Sequence, residues 1–165
     1  MNWFLELIAA WFGRKPLPAP TPTPVPQPVP APVPAPQPRP PASALQLSAL
    51  LVNAINSERS RAGLAPLVDD MPLTSSASSW ATSMAIAGRE SHDNFLERVG
   101  SVYPDRPIGE IVAEGFPDIV SVMAGWMSSP PHRGDILGDY DRAGGGMATN
   151  PSGTPYWCVQ FARVG

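Results

Sequence analysis

Hydrophobic and polar positions change rhythm three times along this chain. The opening stretch, Met1 to Phe12, is almost wholly apolar. Wound as a helix it leaves only Asn2 and Glu6 on one narrow face, while Trp3, Phe4, Leu7, Ile8, Trp11 and Phe12 cover the rest. From Pro18 to Pro40 every even position is proline. Proline lacks an N–H and fixes φ, so this segment cannot build a helix interior or a paired strand. From residue 42 onward, helical and then strand-like periodicities take over. Leu47, Leu50, Leu51, Ala54 and Ile55 recur at helical spacing within 43–62, a helix that Ser43 can cap and Gly63 ends. Leu73, Ala77, Trp80, Ala81, Met84 and Ala85 predict a second helix over 72–88. Polar residues 89–108 read as a long loop, with one helical turn near Asn94 to Arg98.

Gly109 to Glu114 reads as a short strand. Ile119, Val122, Met123 and Trp126 mark a third helix, 118–128, capped by Asp118 and stopped by Pro130-Pro131. Asp141 to Thr149 and Tyr156 to Val164 are extended runs joined by turn-forming residues 150–155, which predicts an antiparallel hairpin. Gly144-Gly145-Gly146 implies backbone packed closely against a neighbour. It is no phosphate loop, since the lysine and following helix are missing. Helices followed by strands point to an α+β fold with helices packed on a small sheet.

Composition sharpens this division into an apolar head (1–15), a proline-rich linker (16–41) and a body (42–165). Fourteen of the 23 prolines fall in the linker, which is expected to be disordered and to act as a polyproline II spacer of roughly 80 Å. At about 18 Å the head helix is too short to span a bilayer. Its basic pair Arg14-Lys15 follows the apolar run, the reverse of an ordinary secretory signal. Peripheral membrane contact through residues 1–12, or an atypical export signal, is the reading adopted; docking on a partner or on the body, and simple disorder, are the alternatives. The body has eight arginines, no lysine and thirteen acidic residues, a balance of −5. That argues against nucleic acid as a partner. Cys158 is the single cysteine, so neither an intrachain disulfide nor a cysteine-based zinc cluster can form; set in a strand, it reads as structural.

Candidate chemistry is sparse. The two histidines, His92 and His132, each fall just outside a predicted helix, with Glu110 in a short apolar segment between them. Two imidazoles and a carboxylate can bind a metal with positions left open, or share acid–base work. Their spacing matches no local metal motif.

Five segments in order give a more specific signal. Leu51-Val-Asn-Ala-Ile-Asn-Ser-Glu-Arg-Ser-Arg-Ala-Gly-Leu-Ala-Pro-Leu67, Ser91-His92, Gly109-Glu110-Ile111-Val112-Ala113, Trp126-Met-Ser-Ser-Pro-Pro-His132-Arg133-Gly-Asp-Ile-Leu137 and Tyr156-Trp-Cys-Val-Gln160-Phe161 together resemble the CAP (SCP-like) superfamily. The resemblance covers about 43–163. It implies an α-β-α sandwich whose central cavity is lined by His92, Glu110 and His132, with zinc held by His92 and His132 as the cofactor to test. It also implies a bacterial-type, extracellular or envelope-associated domain. Ser129 stands where the family carries a second acidic residue, Ile111 replaces the asparagine after the glutamate, and Asp135 replaces a second asparagine.

The function expected is binding of a ligand (lipid, metal or protein partner) in that cavity. A hydrolase using His92, Glu110 and His132, with or without zinc, is the alternative; a purely structural envelope role is a third reading.

Overall fold

The computed structural model describes residues 42–165; the apolar head and the proline-rich linker lie outside the described residues. The elements in chain order are α1 (Ala42–Arg61), β1 (Val68–Asp69), α2 (Met71–Ala87), α3 (Phe95–Gly100), β2 (Ile108–Glu114), α4 (Ile119–Ser128), α5 (Pro130–Ile136), β3 (Arg142–Thr149) and β4 (Pro155–Ala162). Three differences from the sequence reading have local causes. The two-residue β1 is too short for any periodicity to reveal and exists because Val68 N–H and Asp70 N–H donate to carbonyls of Asp141 and Ala143, 3.0 and 2.8 Å away. The single turn expected at 94–98 is the six-residue α3. Pro130-Pro131 does end α4, but the same pair starts α5, because the first helical positions need no N–H and favour proline's φ. His132 therefore lies inside a helix, not beyond one.

The strands form one sheet in the order β1-β3-β4-β2. β3 and β4 are the expected hairpin, β2 runs antiparallel to β4, and β1 is parallel to β3. Alternation along the strands divides the side chains between two layers of helix. On one face Ile111, Trp157, Val159 and Phe161 pack with Leu51 and Ile55 of α1, Val122 and Trp126 of α4 and Ile136 of α5. On the other, Val112, Tyr156 and Cys158 pack with Ala77, Ala81, Met84 and Ala85 of α2. The result is the α-β-α sandwich expected.

Two glycines set the thickness of the second layer. A Cβ on Gly144 would lie 2.2 Å from the backbone nitrogen of Thr74, and one on Gly146 2.4 Å from Ser78 Cα. Backbone meets backbone there, so α2 can rest on β3 only where side chains are absent.

Caps fix the helices that carry the site. Asp70 starts α2 by accepting from Leu73 N–H at 3.0 Å, and its other oxygen accepts from the Tyr103 hydroxyl at 2.6 Å. Burial and that carboxylate push the Tyr103 phenol up to about 12. Gly88 closes α2 in the left-handed conformation at φ 68°. Asp118 and Ser121 make a capping box at the start of α4. Among the described residues no helix is long and apolar enough to cross a membrane.

Candidate functional site

Glu110 sits on the edge strand β2, directly opposite Gln160 of β4, with its side chain on the α2 face. Only 1% of that side chain is exposed, so its charge needs partners inside the protein. It has them. Arg98 of α3 makes a fork, with Nη1 donating to Oε2 at 2.8 Å and Nη2 to Oε1 at 3.0 Å. Gln160 Nε2 donates to Oε2 at 2.9 Å, and His92 Nδ1 lies 3.0 Å from Oε1. The Cys158 thiol approaches Oε2 at 3.6 Å. A carboxylate offers about four acceptor positions, and all are taken.

Burial alone would raise the Glu110 carboxyl. The hydrogen bonds from Arg98 and Gln160, the Arg98 charge and the His92 contact outweigh it and hold the group below the usual carboxylate range. An ionised carboxylate can only accept, so His92 must carry its proton on Nδ1. In the neutral ring Nε2 is then the acceptor, and the side chain is half exposed. Cys158 is fully buried, and desolvation together with the Glu110 charge pushes its thiol up, so it is no nucleophile.

The loop that carries His92 is held at both flanks. Trp80 Nε1 donates to Ser91 O at 2.8 Å, and Arg98 Nε to Asp93 O at 2.9 Å. The Arg98 guanidinium also stacks on Trp80, with Cζ 3.7 Å from the ring centroid. Arg98 is thus tied to β2, to the His92 loop and to α2 at once.

His132 is carried by α5, which packs on the opposite face of the sheet. The position before Glu110 is Gly109, and a Cβ there would lie 2.5 Å from the Tyr140 hydroxyl and 3.4 Å from Asp135 Oδ1. The absent side chain leaves room for a second polar group. Asp135, one turn after His132 in α5, hydrogen-bonds Tyr140 and lies within electrostatic reach of His132 and His92. Desolvation raises its carboxyl despite those partners.

The structure therefore joins His92 to Glu110. Among the described residues no hydrogen bond or ion pair joins His132 to either. Arg98, Gln160, Trp80 and Tyr140 complete the site beyond the residues expected from sequence. Gln160 had a legible signal: a lone polar side chain in the apolar run 156–162 needs a buried partner. Arg98 had none, being one arginine in a polar loop.

The residues do not fit zinc with Glu110 as a ligand. Its oxygens are committed, and one of its partners is a cation. Among the described residues no three His, Cys, Asp or Glu side chains are grouped to hold a metal ion, whereas zinc sites ordinarily use three or four protein ligands.

Comparison with known proteins agrees with this fold. The sequence model of the cysteine-rich secretory protein family (CAP) matches residues 52–161. No curated protein matches the chain by sequence. Among solved structures, an outer surface protein from Borrelia burgdorferi is similar with a TM-score of 0.65 and 21% identity, over 75% of this chain and 95% of that one. A cysteine-rich secretory protein from Staphylococcus aureus has a TM-score of 0.62 and 21% identity, over 72% of this chain and 38% of its own. An extracellular SCP-domain protein from Bacillus anthracis has a TM-score of 0.61 and 22% identity, over 72% and 41%. The chain thus spans about two fifths of the latter two.

Proposed function

Because the chain belongs to the cysteine-rich secretory protein (CAP) family, we propose that it is a ligand-binding CAP domain, displayed outside the cell or at its envelope on the proline-rich linker. The ligand, a lipid or a protein partner, meets the half-exposed His92 and partly buried His132, while Glu110 acts from behind as the group that orients His92. The observation that carries this reading is the saturation of Glu110: both oxygens are engaged by Arg98, and Gln160 and His92 take the remaining positions. The extracellular or outer-surface setting of the structural neighbours supports the location. A hydrolase would ask Glu110 to take a proton, or to hold an ion, with a lone pair already in use. A carboxyl held below its ordinary range is also a weaker base.

Two assays test the proposal. The full chain is offered pooled peptide and ester substrates; turnover that falls by roughly a hundredfold or more in Glu110→Gln would replace the binding reading with the hydrolase. Separately, the chain is sedimented with phosphatidylcholine–phosphatidylglycerol vesicles. Capture that survives removal of residues 1–15 but is lost in His92→Ala/His132→Ala assigns lipid to the body. Capture lost with residues 1–15 assigns it to the head and leaves a protein partner for the body.

A further inference from the structure

We propose that the Arg98 guanidinium is the resident cation of this site. It takes, from within the chain, the place on Glu110 that a divalent metal would otherwise occupy, and so makes the site independent of metal. This goes beyond the ligand-binding reading and does not depend on it.

The buried carboxylate of Glu110 needs donors or a counter-charge to stay ionised. A metal ion and a guanidinium can each face both carboxylate oxygens at once. Here the guanidinium does so, with two bonds of 2.8 and 3.0 Å. It is no loosely placed surface arginine. Its Nε–H is bound to Asp93 O, its face lies on Trp80, and 18% of its side chain is exposed. A divalent ion within bonding distance of Glu110 would meet this fixed positive charge at close range.

The contact has a second consequence. His92 Nδ1 and Glu110 Oε1 are 3.0 Å apart, a nitrogen and an oxygen of the kinds that ligate zinc, held together by the same fold. What keeps them a hydrogen-bonded pair, with Glu110 behind His92, is that the counter-charge is already supplied. Without Arg98, Glu110 keeps only the Gln160 and His92 donors and becomes a site for a cation from solution, with His92 beside it as co-ligand.

The experiment is a calorimetric titration of zinc chloride into the full chain, in five forms: unmodified, Arg98→Met, Arg98→Lys, Glu110→Gln and Arg98→Met/Glu110→Gln. Arg98→Met keeps an unbranched side chain and removes the guanidinium, with both its charge and its contact with Trp80. It is expected to bind zinc about ten- to a hundredfold more tightly than the unmodified chain. Arg98→Lys keeps a charge and should bind zinc no better than the unmodified chain. Arg98→Met/Glu110→Gln has neither charge and should lose the gain.

A folded Arg98→Met with no gain in zinc affinity overturns the proposal. So does an unmodified chain that binds zinc with an affinity that falls in Glu110→Gln. Should Arg98→Met be unfolded in chelator, zinc is expected to restore its circular dichroism. If zinc fails to do so while Arg98→Met/Glu110→Gln is folded, the proposal is equally lost.

Discussion

Two carboxylates flank the edge strand β2, and the protein treats them in opposite ways. Glu110 projects to the α2 face, is almost fully buried, and is held below the usual carboxylate range. Asp135 lies over Gly109 on the α5 face, is less buried, and is raised. If burial decided ionisation, the order would be reversed. What differs is the company. Glu110 has a forked arginine, an amide and an imidazole, all donating to it. Asp135 has one phenol and the more distant fields of His132 and His92. Partners outweigh desolvation on one side of the strand and fail to on the other.

The comparison breaks most visibly when Glu110 loses its counter-charge. Arg98→Met should cost about 3–5 kcal/mol of unfolding free energy in urea, because a buried carboxylate is left unpaired. Adding Glu110→Gln should recover most of that loss; no recovery would mean that Arg98 acts mainly through Trp80. Gln160 is the neutral member of the set. Gln160→Met should cost about 1–2 kcal/mol by removing one donor from a buried acceptor. The loss stays moderate because the amide oxygen of Gln160 has no partner and is no longer buried unsatisfied.

Acid titration of stability sharpens the contrast. The folded carboxyl of Glu110 lies below its unfolded value, so its contribution is fully present above the ordinary carboxylate range and is lost as pH falls through the lower folded value. Asp135 has the opposite sign: its contribution is complete below the ordinary range and is lost as pH rises through the raised folded value. Urea midpoints across the acid range should therefore drop less steeply at the low end in Arg98→Met/Glu110→Gln. In Asp135→Asn the opposing loss toward neutral pH should vanish. The smallest effect is Asp135→Asn at neutral pH itself, a gain of about half a kcal/mol or less. A large loss there would show that the Asp135 charge is needed by His132.

Much of the fold was legible because each helix repeats its apolar residues on one face and each strand of the hairpin is an uninterrupted extended run. Leu51 and Ile55, Ala77 and Ala81, and Val122 and Trp126 are all buried where their spacing puts them. The triple glycine was legible too, since close packing of backbone is what three adjacent residues without side chains permit. Less legible was whatever depends on one or two hydrogen bonds across long separations. β1 exists through bonds to residues some seventy positions away, and the start of α5 is hidden in a proline pair that equally signals a stop.

The same division runs through the site. His92, Glu110 and His132 could be named from residue type and from resemblance. Their relations could not, because an ion pair is a property of two places in space. By itself the sequence determined the sandwich, its family and the three residues to watch, since periodicity and motif order are written along the chain. Only the tertiary structure decided that Glu110 faces α2 with Gln160 while His132 and Asp135 approach from the other face. A strand's alternation sends neighbouring residues to opposite sides, and only the packed helices say what waits there. That is how Arg98, without a signal of its own, became the charged partner of Glu110.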